Sequence, residues 1–116
     1  MDIEAPRVAA SCKPGQFVIV KLDEVGERIP LTICDYDREA ETITIVFQVV
    51  GASTERMSHL YDDDAFEDVV GPLGCYSEWI DEDIEDLKKK KMLFVAGGVG
   101  TAPVYPQVKW LHEHGI

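Results

Sequence analysis

The chain has 116 residues, room for one complete domain and one core but not for two. Acidic residues outnumber basic ones, 22 to 11, and the formal charge of −11 gives an average field that repels DNA, RNA and other polyanions. Hydrophobic residues make up 46% and charged residues 28%, a globular balance that excludes disorder for the chain as a whole.

The elements follow in order. Met1 to Pro14 begins with apolar alternation and reaches Pro14-Gly15, a turn signal. Gln16 to Leu22 (QFVIVKL) is β-branched and aromatic and predicts a strand. A turn at Asp23 to Glu27 leads to a second predicted strand, Arg28 to Tyr36, in which Pro30 marks an edge or an irregular spot. After a polar turn, Thr42 to Val50 (TITIVFQVV) carries the strongest strand signal of the chain. Short polar connections between three strands predict an antiparallel meander or barrel.

Gly51-Ala52-Ser53-Thr54 ends that strand, and Ser53 or Thr54 is placed to cap a short helix to about Leu60. Phe66 to Val70 predicts a short strand closing at Gly71-Pro72-Leu73-Gly74. Ser77 to Lys90 reads as a helix, acidic at its start and basic at its end as the helix dipole favours. The acidic run beside the only lysine run, Lys88 to Lys91, is therefore a helix surface and not a nucleic-acid patch. Met92 to Ala96 is fully apolar, the mark of a buried parallel strand. Gly97-Gly98-Val99-Gly100 follows, then a helix with Pro103 in its first turn and Gly115 near its end.

A strand–glycine loop–helix unit cannot bury both sides of its strand alone, and the meander has too few strands to close a barrel. The expectation is an internal piece of a longer protein. The three cysteines, Cys12, Cys34 and Cys75, are far apart and contain no CxxC, which argues for free thiols and against a complete zinc or iron–sulfur site. No apolar run approaches the ~20 residues of a membrane span, and no signal-peptide pattern opens the chain. A cytoplasmic protein without membrane contact is expected.

Several groups carry a functional and a plain reading side by side. The glycine loop brings bare backbone and free helix N–H groups toward one point, an anion site, although Pro103 stands where a third glycine would complete the dinucleotide fingerprint; the alternative is a tight turn. Arg28 offers a planar fork for a phosphate or a surface pair with Glu27 or Asp23. Ser53 and Thr54 offer either phosphate contact or simple capping. Asp62-Asp63-Asp64 reads as a solvated turn. His112 and His114 diverge on a helix and form no metal pair. Trp79, Trp110 and Phe17 read as core or interface.

The order of these motifs carries a resemblance. Arg28-Ile29-Pro30-Leu31-Thr32, Gly51-Ala52-Ser53-Thr54, Gly71-Pro72-Leu73-Gly74 and Gly97 to Pro103 together resemble the ferredoxin–NADP reductase superfamily. Within it the chain looks most like the small flavoprotein subunit of NADH-dependent ferredoxin:NADP oxidoreductase, also called sulfide dehydrogenase, and the electron-transfer subunit of dihydroorotate dehydrogenase. The resemblance implies a mainly β fold: an incomplete antiparallel Greek-key flavin-binding barrel over 1–76, lacking its first strand, a connecting helix over 77–90, and over 91–116 the start of an α/β nicotinamide-binding domain.

It also implies roles. Arg28 contacts the FAD diphosphate; Pro30, Leu31 and Thr32 line the isoalloxazine, with Thr32 nearest its reactive edge and no catalytic side chain beyond it. Phe47, Gln48 and Val49 meet the ribityl and adenosine portion. Gly51, Ser53 and Thr54 hold the diphosphate from the other side. Gly97, Gly98, Gly100, Thr101, Ala102 and Pro103 receive the pyrophosphate of NAD(P)H. The implied chemistry is hydride transfer from NAD(P)H to FAD and single-electron transfer onward. The implied partners are a large iron–sulfur/flavin subunit and ferredoxin, with a [2Fe-2S] cluster outside this stretch. The isolated piece is expected to be inactive, and an unpaired barrel edge to favour dimers. The rival readings are a dihydroorotate dehydrogenase electron-transfer subunit and a non-catalytic barrel that binds a protein partner and has lost its cofactor.

Overall fold

The computed structural model describes residues 1–116 and holds five strands, β1 (Asp2–Glu4), β2 (Phe17–Lys21), β3 (Arg28–Asp37), β4 (Thr42–Ile45) and β5 (Asp68–Leu73), with four helices, α1 (Pro6–Ser11), α2 (Ala52–Ser58), α3 (Ile84–Lys88) and α4 (Thr101–Glu113). The strands form one antiparallel sheet in the order β1-β4-β3-β2-β5. The sheet curls into a half-barrel. Its outermost strands, β1 and β5, have no strand partner on their far sides, and the groove between them is bounded by Met1–Glu4 and Leu60–Phe66.

The inner face is the core. Val18 and Val20 of β2, Ile33 of β3 and Ile43 and Ile45 of β4 are buried there, joined by Val8 and Ala9 from α1, Cys12 just after it and Met57 from α2. Alternation in β2 explains the arrangement: successive side chains point to opposite faces, so Val18 and Val20 go in while Phe17, Ile19 and Lys21 go out. Ile29 and Leu31 of β3 oppose Val20 and Val18 and pack on the same core.

Pro30 sits inside β3, a strand flanked by β4 and β2, without loss of a ladder bond. The Ile33 N–H donates to the Gln16 carbonyl at 3.1 Å. By alternation the Pro30 nitrogen faces away from β2, and β4 pairs β3 only from Ile33 onward. At Pro30 the strand is locally an edge, as the proline requires.

Three predicted elements differ. β4 stops at Ile45, and residues 46–50 run on without strand pairing, although the side chains favour it; the stretch of β3 before Ile33, opposite them, contains Pro30, which has no N–H to offer a ladder. The helix predicted over Ser77 to Lys90 is broken into a 3₁₀ turn at Glu78–Asp81 and α3, because Asp83 caps α3 by accepting from the N–H groups of Glu85 and Asp86 at 2.8 and 3.3 Å. Met92 to Ala96 is not a strand and is not buried: Leu93 and Val95 are 89% and 81% exposed. A parallel strand needs a neighbour for its backbone groups, and these residues have none.

β5 also runs through Gly71-Pro72-Leu73 where a closing turn was expected. A Cβ on Gly71 would lie 2.7 Å from Val18 Cγ1, so the close approach of β5 to β2 requires glycine there.

Candidate functional site

The register builds a two-part panel on the outer face of β3, β2 and β5. Thr32 lies opposite Phe17, which lies opposite Leu73; Pro30 opposite Ile19, which lies opposite Val70; Arg28 opposite Lys21, which lies opposite Asp68. Cross-strand partners share a face. The panel therefore has two largely apolar rows and one charged row at its end. Thr32 and Arg28 are separated by ~13 Å of strand rise. Pro30, Val70 and Arg28 are exposed and the remaining six residues half-buried.

At the charged end, Arg28 Nη1 lies 2.9 Å from Asp68 Oδ2, and both side chains are about half exposed. Arg28 thus pairs across two strands, not with Glu27 or Asp23. Those two residues instead tie the hairpin loop to α2: the Ser53 hydroxyl donates to Glu27 Oε1 at 2.6 Å, and Arg56 pairs with Asp23. The N-terminus of α2 and the Arg28 end of β3 consequently share one rim.

α2 begins from Gly51, whose φ of +88° favours glycine and whose missing side chain leaves open space. Neither Ser53 nor Thr54 caps it. The Thr54 hydroxyl accepts from the Val50 N–H at 2.7 Å and donates to the Val50 carbonyl, closing the turn before the helix. The N–H groups of Ala52, Ser53 and Thr54 have no acceptor within the helix. Met57, fully buried, anchors α2 to the core. Of residues 47–49, Phe47 packs on the core, whereas Gln48 and Val49 are exposed.

The glycine loop lies at a second place. Gly97 is extended, Gly98 has φ +55°, and Gly98–Gly100 form a 3₁₀ turn running into α4. A Cβ at Gly97, Gly98 or Gly100 would meet nothing within 4 Å. The bend from extended chain to helix is present; Ala102 is buried, Pro103 half-buried and Thr101 exposed. α4 docks on β3 through Lys109, whose Nζ lies 2.7 Å from Asp35 Oδ1. That contact holds the lysine above its usual value of 10.5, chiefly through the hydrogen bond to Asp35.

Leu31, expected beside a planar ring, turns its side chain to the core, so only its backbone belongs to the outer face. Lys21, Ile19, Val70 and Asp68 join the panel although sequence reasoning did not single them out. Period-2 alternation exposes Ile19 and Lys21, but Val70 and Asp68 depend on a pairing some fifty residues away that contains an irregularity between Phe17 and Ile19. Phe17 packs its ring on Gly74 from the outer face and not in the core, and Trp79 lies obliquely against Trp110 with centroids 5.0 Å apart. The third acidic residue of Asp62-Asp63-Asp64 accepts from the Tyr61 N–H at 2.8 Å and closes its turn. His112 stays exposed, and His114 stacks on Trp110. All three cysteines are free. No helix is long and apolar enough to cross a membrane.

No family model matches the chain. A search of solved structures finds NADH-dependent reduced ferredoxin–NADP oxidoreductase with a TM-score of 0.81 and 39% identity, covering 98% of this chain and 39% of that one. The fold is thus an antiparallel curled half-barrel with a few helices, and it matches a flavin-binding domain of the ferredoxin–NADP reductase type. In sequence the chain resembles dihydroorotate dehydrogenase B (NAD(+)) electron-transfer subunits: the homolog from Thermotoga maritima is 44% identical over 97% of this chain and 38% of that protein, and the subunit from Listeria welshimeri 38% identical over 89% and 39%. An uncharacterized protein in the adh 3' region of Clostridium beijerinckii is 68% identical over the whole chain and 39% of its own length. The chain spans about two fifths of the curated relatives it matches.

Proposed function

We propose that this chain supplies the flavin-binding half-barrel and the first dinucleotide loop of an NAD(P)H-dependent oxidoreductase subunit that passes electrons to an iron–sulfur partner. The observation that carries the reading is the panel: Thr32, Pro30 and Arg28 share one accessible face with Phe17, Ile19 and Lys21 beside them. A flat apolar ring system ending in a diphosphate has the same order of chemistry, apolar first and anionic last.

In this reading residues 1–76 hold FAD, 77–90 connect, and 91–116 begin the nicotinamide-binding unit. Arg28 grips the diphosphate, with Gly51, Ser53 and Thr54 on its other side. Pro30, the Leu31 backbone and Thr32 lie along the isoalloxazine, where the apolar rows exclude water from one ring face and the Thr32 hydroxyl offers a hydrogen bond near its reactive edge. Phe47, Gln48 and Val49 border the ribityl and adenosine portion. Gly97, Gly98, Gly100, Thr101, Ala102 and Pro103 receive the NAD(P)H pyrophosphate, since bare backbone and a helix N-terminus favour that group. Bound FAD supplies the exchange between two-electron and one-electron chemistry; no side chain here is assigned proton transfer.

The proposed partners are a larger iron–sulfur/flavin subunit and ferredoxin. Cys12, Cys34 and Cys75 do not amount to a four-cysteine set, so no [2Fe-2S] cluster is proposed within this stretch. The unpaired edges of β1 and β5 support pairing with a second copy, which sedimentation at rising concentration would detect. A second reading, a dihydroorotate dehydrogenase electron-transfer subunit, draws on the names of the Thermotoga and Listeria relatives; it differs in acceptor and not in the use of these residues.

The test is direct. Purified protein given FAD and then desalted should stay yellow, and the longer subunit that contains this stretch should bleach without oxygen on addition of NADH or NADPH. A protein that remains colourless would count for a barrel without cofactor.

A further inference from the structure

Two of the residues assigned to the diphosphate, Arg28 and Ser53, already carry a carboxylate of this chain. Arg28 Nη1 holds Asp68 Oδ2 at 2.9 Å, and the Ser53 hydroxyl donates to Glu27 Oε1 at 2.6 Å. Asp68 faces Lys21 in the register and Lys21 faces Arg28, so the carboxylate belongs to the same outer row as the two cations. Lys21 has no ion-pair partner of its own. The row therefore contains two cations and one internal anion.

Exposure decides how firmly that anion is held. The Arg28 and Asp68 side chains are 53% and 42% exposed. A pair so open to water is weak and exchanges readily. It uses one guanidinium nitrogen, and the other donors of the fork stay available. A diphosphate brings more charge and more acceptor oxygens than one carboxylate and can take the fork in bidentate fashion.

We propose that Asp68 and Glu27 are resident counter-ions of the diphosphate subsite, displaced when the cofactor binds, so that they weaken binding of phosphate-bearing flavins and leave phosphate-free flavin unaffected. This rests on the flavin reading above. Asp68 would otherwise be a positioning residue that orients Arg28, and the two roles predict opposite signs. Removing a competitor tightens binding; removing an orienting partner loosens it.

The experiment titrates the protein as encoded with FAD and, separately, with riboflavin, following flavin fluorescence. Asp68→Asn should lower the Kd for FAD by about two- to fivefold, the range a weak exposed pair allows, and leave that for riboflavin unchanged. Glu27→Gln should act in the same direction, which guards against a folding artefact in one variant. A raised FAD Kd in Asp68→Asn, no change in it, or an equal change for riboflavin, would overturn the proposal. If FAD binds and Arg28→Ala weakens it while Asp68→Asn fails to tighten it, the counter-ion role falls alone. If neither flavin binds, the flavin reading falls and the counter-ion role with it.

Discussion

Lys109 of α4 reaches across to Asp35 of β3 with 2.7 Å between Nζ and Oδ1, a contact linking residues 74 positions apart. The two side chains are 34% and 29% exposed, so the pair is partly shielded but not buried. It joins the last helix to the sheet beside the buried Ala102, Pro106 and Leu111.

Replacing Lys109 by Met should cost about 1 kcal/mol, the upper range for a pair still open to water. The pH dependence has a definite sign. The lysine is raised above 10.5 by the hydrogen bond to Asp35. Its contribution is therefore complete at neutral pH and is lost only as pH climbs through the raised value. Urea midpoints of wild type and Lys109→Met should differ at pH 7 and converge as pH rises past the lysine's raised value.

Thiol reactivity should rank by exposure. Cys12 is fully buried, and burial pushes its thiol up; Cys34 is pushed up by burial and by the neighbouring Asp35; Cys75 is exposed. The thiolate is the reactive form. A disulfide reagent at pH 8 should modify Cys75 first, as read by peptide mass, and reach Cys12 only after denaturation.

The packing of β5 on β2 should tolerate no added methyl. A Cβ at Gly74, with φ +78°, would lie 2.9 Å from the Phe17 ring, and at Gly71 2.7 Å from Val18. Gly71→Ala and Gly74→Ala should each destabilise by about 1–3 kcal/mol. Gly51→Ala meets no atoms, and its cost should come from the positive φ alone, about 1–3 kcal/mol. Thermal melts of the three variants would rank them.

Met57→Ala should cost about 2–5 kcal/mol, since its side chain is fully buried among Ile43, Ile45 and Val18 in the core cluster. It is the buried anchor of α2. Loss of that anchor should also raise amide exchange at Ser53 and Thr54 before the sheet itself opens.

Local chemistry made part of this legible. The alternation in Phe17 to Lys21, the glycine before α2 and the bend at Gly97 to Gly100 all follow from nearest-neighbour rules, and the structure contains each. What stayed hidden depends on distant partners. Thr42 to Val50 has strand side chains throughout, yet residues beyond Ile45 leave the ladder where β3 reaches Pro30. Met92 to Ala96 fails because no strand pairs with it. Asp68 on the Arg28 row could not be read locally, because that row exists only once β5 pairs with β2 in a shifted register. Leu31 shows the converse: its place in a motif suggested a ligand contact, while period-2 geometry sends its side chain to the core.

The central claim, that one exposed face from Thr32 to Arg28 and the adjoining α2 rim grip a flavin dinucleotide, is met most directly by amide shift mapping during FAD addition. Amide signals of Arg28, Ile29, Leu31, Thr32, Lys21 and residues 51–54 should move together and saturate, while those of Asp35 and Lys109, at the far contact between β3 and α4, stay still. Saturable shifts confined elsewhere, or no shift at residues 28–32 and 51–54, would contradict it.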